Sequence, residues 1–167
     1  MEHNQFMAQA IEEARAGVRA GDRPFGSVVV RDGKVVGRGH NQVVSALDPT
    51  AHAETQAIRN AAATLKASKL DGCIMYTSCE PCPMCFGATL YAGIGTLVIG
   101  TRLPSIVRFS KGLYNIHDYS VERLNELTGG TLSIISGVLS EESDALYREW
   151  PGWNSYPMGG GAHGKAR

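Results

Sequence analysis

Two runs decide how this chain is read: Asp48-Pro49-Thr50-Ala51-His52-Ala53-Glu54 and Cys79-Glu80-Pro81-Cys82-Pro83-Met84-Cys85. Each stands at the start of a helix-forming stretch, and a short apolar strand lies between them. Thr50 is the expected N-cap of the first helix, which puts His52 and Glu54 in its opening turn. Pro83 suits the first position of the second helix, with Cys82 at or beside the cap. Cys82 and Cys85 are three residues apart, so they share one helix face. A helix N-terminus also favours the thiolate form that binds metal. One imidazole and two thiolates supply three ligands for a tetrahedral zinc and leave its fourth position for water, as in hydrolytic zinc sites. Zinc lowers the pKa of such a water to ~7. Glu54, two residues from His52, is better placed to carry protons than to ligate. A structural zinc would need a fourth side chain. Cys79 is the nearest, and a buried, inert thiol is the expected reading for it and for Cys73.

The flanking sequence supplies an α/β frame. Phe6, Met7, Ala10, Ile11, Ala14 and Val18 recur at helical spacing, predicting a helix over residues 3–20. Phe25 to Val30 reads as a strand, Asp32-Gly33 as a hairpin turn, and Val35 to Gly39 as the antiparallel return. The first motif helix runs to about Leu65 and Cys73–Ser78 is a buried strand. The cysteine helix ends near Tyr91, and Thr96–Gly100 forms a strand parallel to the previous one across a helical crossover. Residues 102–118 show no clean period. Val121–Leu127 is expected as a helix, Thr131–Val138 as a strand, and Ser140-Glu141-Glu142-Ser143 as the capped start of a helix ending near Trp150. Together these make one domain over residues 1–153: three layers, α/β/α, around a mixed five-stranded sheet. Residues 154–167, with Gly159-Gly160-Gly161, read as a flexible tail or a pocket lid.

Composition narrows the partners. The 167 residues carry 16 Lys+Arg against 16 Asp+Glu, so no charge excess points to nucleic acid or a membrane surface. Met1-Glu2-His3-Asn4-Gln5 is polar and no apolar run approaches spanning length, so a cytoplasmic protein is expected. Four cysteines then read as metal and core chemistry, not disulfides.

The paired motif, His-x-Glu followed by Pro-Cys-x-x-Cys, resembles the zinc nucleobase deaminases. Over residues 4–150 the chain resembles the cytidine deaminase-like superfamily, in the branch of guanine, cytosine and tRNA adenosine deaminases. Pro24-Phe25-Gly26, Gly39-His40-Asn41 and the run from Leu70 to Cys85 carry the likeness along with the first motif. Leu70–Cys85 is most like guanine deaminases, whereas Gly37–Asn41 is more like cytosine enzymes. The resemblance implies a cytidine deaminase-like fold, one Zn2+ per subunit on His52, Cys82 and Cys85, proton transfer by Glu54, and a homodimer. It implies that Asn41 hydrogen-bonds the base, that Phe25 lines the pocket, and that the main chain near Ala53 and Ser78 touches the substrate. Asn41 also reads as a turn residue and Phe25 as a core aromatic. Trp153 and Tyr156 are either a lid over the base or anchors for a surface tail. Arg102, Arg108 and Lys111 either meet an anionic or carbonyl-rich substrate or face solvent. The segment holding them lacks the acid of the guanine enzymes. The chain also lacks the tail acid of the cytosine enzymes and the loop and basic helix of the tRNA enzymes. The expected function is hydrolysis of the amino group of a free guanine-like or cytosine-like base. Deamination of a tRNA adenosine and a zinc-stabilised binding module are the alternatives.

Overall fold

In the computed structural model, which describes residues 2–155, the chain order is α1 (Glu2–Arg19), β1 (Gly26–Arg31), β2 (Lys34–His40), α2 (Ala53–Leu65), β3 (Ile74–Cys79) and α3 (Pro83–Tyr91). There follow β4 (Thr96–Thr101), α4 (Leu103–Phe109), α5 (Val121–Leu127), β5 (Ser133–Ser136), α6 (Ser140–Arg148) and a 3-10 turn, Pro151–Ser155. The strands form one sheet in the order β2-β1-β3-β4-β5. β1 is antiparallel to both neighbours, whereas β3, β4 and β5 run parallel. The expected five-stranded mixed sheet is therefore present.

Alternation along the strands divides the core into two layers. Phe6, Met7, Ala10 and Ile11 of α1 pack with Val28, Val30, Tyr76 and Val98 on one face, joined by Leu146 of α6. On the other face, Ala57, Ala61 and Phe86 of α2 and α3 meet Val29, Met75, Leu97 and Ile99. Asp32 (φ 51°) and Gly33 (φ 70°) both take positive φ, the geometry a two-residue hairpin turn needs. Gly39 lets α2 come down onto β2: a Cβ there would lie 2.5 Å from the Ala53 carbonyl oxygen and from the Ala57 nitrogen.

Three local expectations are corrected. Thr50 does not cap α2, because its amide and hydroxyl both donate to Asp48 Oδ1, at 2.8 and 2.7 Å. That Asx-turn ends the approach loop, and His52 takes the cap position with extended backbone (φ −73°, ψ 157°). Residues 102–118, without a legible period, contain the seven-residue helix α4, which is too short for periodicity to be read. Ser140 does not cap α6: Leu139 holds the cap position in a left-handed conformation (φ 50°) with no side-chain hydrogen bond. Among the described residues no helix is long and apolar enough to cross a membrane.

Candidate active site

His52 and Cys82 occupy equivalent places at the N-termini of α2 and α3. Both are N-caps with extended backbones, and neither side chain makes a cap hydrogen bond. Each is thus available to point away from its own helix. The His52 Nδ1 atom lies 3.6 Å from Cys82 Sγ and 3.5 Å from Cys85 Sγ, and the three donor atoms lie within 4.8 Å of one another. Zinc–sulfur bonds of ~2.3 Å and zinc–nitrogen bonds of ~2.0–2.1 Å at the tetrahedral angle place N and S ~3.6 Å apart. The donor set and its spacing therefore fit a zinc ion.

Glu54 sits in the first turn of α2, is 6 % exposed, and lines the cleft beside His52 and Cys82. Burial, and then the charge of Cys82, raise its pKa above the ordinary carboxylate value. The thiols are pushed in opposite directions. A hydrogen bond from Cys85 and a second from His52 pull Cys82 down to about 4 against the effect of burial. The same bond to Cys82, together with burial, drives Cys85 well up. Cys82 is the thiolate, and Cys85 holds the proton that a metal would displace.

The cleft wall is made by Arg23, Phe25, Asn41 and Tyr114, with Glu80 beside the metal loop. Asn41 is buried. Its Oδ1 accepts from the Val43 amide at 3.1 Å, which leaves the Nδ2 amide to donate into the cleft. Turn residue and cleft residue are thus one role here. Phe25 lines the cleft and packs against the rings of Tyr114 and Tyr147. Ala53 is fully buried between His52 and Glu54. The Ser78 hydroxyl is engaged by Tyr147 Oη at 2.8 Å and by the Gly26 amide at 3.1 Å, so only its main chain remains for a substrate.

Other expected contacts fall elsewhere. Trp153 is not among the cleft residues: its Nε1 donates to the Tyr147 carbonyl at 2.6 Å, and its ring packs edge-on to Trp150 in a cluster with Cys79 and Ile106. Tyr156 lies outside the described residues. Arg102 is not among the cleft residues; half-buried, it bridges Glu80 and Glu122. Arg108 stacks its guanidinium 4.9 Å from the centre of the Phe109 ring, and Lys111 is exposed at a turn (φ 52°). Cys73 and Cys79 are buried, as expected, and burial raises both thiols. Sequence reasoning missed Arg23, Glu80 and Tyr114. Glu80 alone offered a signal, as a carboxylate inside the cysteine motif. Tyr114 lies in a segment without pattern.

The fold and the three-donor site are those of a zinc-binding deaminase domain. The family model for the cytidine and deoxycytidylate deaminase zinc-binding region matches residues 1–101, and the chain belongs to that family. It is 53 % identical to the guanine deaminase of Bacillus subtilis over 93 residues, an alignment that spans 55 % of this chain and 60 % of that protein. It is 34 % identical to the tRNA-specific adenosine deaminase of the same organism over 148 residues, spanning 86 % of this chain and 88 % of that one. The solved guanine deaminase of Nitrosomonas europaea superposes with a TM-score of 0.75 at 27 % identity, over 92 % of this chain and 85 % of that chain.

Proposed function

We propose that this protein hydrolyses the exocyclic amino group of a free nucleobase, guanine-like before cytosine-like, and releases ammonia. The carrying observation is the buried Glu54 carboxyl standing beside the His52–Cys82–Cys85 donor set without belonging to it. Zinc held by His52, Cys82 and Cys85 supplies the Lewis acidity that makes water nucleophilic near neutral pH. Glu54 takes the proton of that water as oxygen bonds to the amino-bearing carbon. It passes that proton to the adjacent ring nitrogen, then takes the remaining hydroxyl proton of the adduct and delivers it to the amine as the C–N bond breaks and the carbonyl forms. Its raised pKa suits a group that must both accept and give. The carbonyl product and ammonia balance the water consumed.

Asn41 lines the cleft with its Oδ1 held by the Val43 amide, so its Nδ2 hydrogens are the donors offered to a base. A base with a carbonyl oxygen, as guanine and cytosine have and adenine lacks, satisfies them better. The packed rings of Phe25 and Tyr114 would give the base an aromatic wall. Full-length likeness to a tRNA-specific adenosine deaminase supports a second reading, adenosine-to-inosine conversion in tRNA.

Ammonia release from guanine, cytosine, isocytosine and adenine, beside inosine formation in tRNA, separates the two. Turnover of an oxo-base is expected, and inosine formation without base turnover would reverse the order. Asn41→Asp keeps the acceptor for Val43 and loses the donor, so KM for an oxo-base should rise at least ~tenfold. An unchanged KM would remove Asn41 from recognition.

A further inference from the structure

The cleft contains a second carboxylate, Glu80, for which the hydrolysis above has no use. Its side chain is 1 % exposed and stands two residues before Cys82. A buried acid at that place invites a role as another proton carrier, but its hydrogen bonds argue otherwise. Oε2 accepts from Arg102 Nε at 2.9 Å and from the Leu103 amide at 3.0 Å. Oε1 accepts from the Val121 amide at 3.0 Å and, more distantly, from Arg102 Nη2 at 3.4 Å. Four N–H donors converge on two oxygens, so neither is left facing a substrate.

What those donors have in common is the segment they belong to. Leu103 and Val121 open α4 and α5 and bracket the residues between. That stretch carries Tyr114, which lines the cleft beside Phe25, and Tyr119, whose hydroxyl donates to the Pro81 carbonyl at 2.7 Å. Arg102 extends the connection outward to Glu122, at 2.6 and 2.7 Å, and to Ser136 Oγ at 2.7 Å. Both attachments of the segment therefore end on Glu80 and Pro81, immediately before the Cys82 ligand.

We propose that Glu80 is a positioning residue that ties the Leu103–Val121 wall of the cleft to the loop carrying Cys82. The wall that shapes the base site then keeps a fixed distance from the metal ligands. A neutral amide cannot replace the carboxylate, because its NH2 would face N–H donors.

The test uses the full chain loaded with zinc. Glu80→Gln should keep one zinc per chain, speed hydrogen exchange at the Leu103 and Val121 amides at least ~tenfold, and raise KM about tenfold, with kcat within about threefold of the parent. Tyr119→Phe deletes one hydrogen bond without leaving a buried charge. It should shift KM the same way by about threefold and decides the question if Glu80→Gln does not fold. Unchanged exchange and KM would overturn the proposal. So would a fall in kcat at constant KM, which marks a proton carrier, or zinc loss as the sole defect, which marks a metal-loop role. The kinetic arm rests on the base-hydrolysis reading. If the parent turns over no base, that reading fails while amide exchange still decides the tie.

Discussion

Residues 26–101 and residues 102–155 are held together by different means. The first region buries long apolar alternations: Val28, Val29, Met75, Leu97, Val98 and Ile99 have no exposed surface, and its strands pair over four to six residues. The second region consists of helices of seven, seven and nine residues around a four-residue strand. Helices of that length do not persist alone. They are fastened by particular side chains: Glu80 to the starts of α4 and α5, Tyr119 to Pro81, and Asn125 to both polar groups of Leu132. The matched family region ends at residue 101, where this change of construction begins. The metal donors and Glu54 sit in the first part, whereas Tyr114 of the cleft wall sits in the part tied on by hydrogen bonds. One metal site can thereby serve different substrates through changes in the attached wall.

The comparison can be broken at four points. Glu54→Gln touches chemistry alone. It should retain zinc and lose turnover ~10²- to 10⁴-fold, and steady-state rates near those of the parent would refute the proton-transfer role. Phe86→Ala, in the rigid region, should cost ~3–5 kcal/mol in denaturant unfolding, because the fully buried ring leaves a cavity under α3. A cost below ~1 kcal/mol would show that this region repacks as freely as the other. Gly39→Ala pushes a methyl against the first turn of α2. It should cost ~1–3 kcal/mol and lower turnover with it, since that turn carries His52 and Glu54. Full stability would mean that the helix yields without strain.

The smallest effect concerns pH. Cys82 lies at about 4 and Cys85 well above the ordinary thiol value. Zinc therefore displaces the proton of Cys85 and, once pH falls through the pKa of His52, which against burial is raised by its bond to Cys82, a second proton, so affinity should fall ~tenfold per pH unit at first and more steeply below. The sign follows from the protonated thiol competing with the metal, so binding strengthens as pH rises. A slope that stays at one proton throughout, read by competition with a chelator, would show that His52 is neutral across the range.

Much of the first region was legible because its signals are local. Asp32-Gly33 permits positive φ on both turn residues, Pro83 suits the first helical position, and the spacing of Cys82 and Cys85 sets a shared face. Thr50 misled for a local reason too: Asp48 competes for the same hydrogen bonds. In the second region Trp153 could be read as lid or anchor and Arg102 as substrate contact or solvated charge. Nothing near either residue in sequence discriminates, since their partners Tyr147, Glu80 and Glu122 are set by how helices dock.

Sequence alone determined the α/β order of elements outside residues 102–118, the three candidate metal donors and the acid beside them, because periodicity and donor chemistry act over a few neighbouring residues. Only the tertiary structure decided that His52 is a cap residue, that Asn41 Oδ1 is held by the Val43 amide, and that Glu80 is occupied by Arg102, Leu103 and Val121. Those outcomes depend on which buried polar groups meet across the fold, and each group must find a partner once water is excluded.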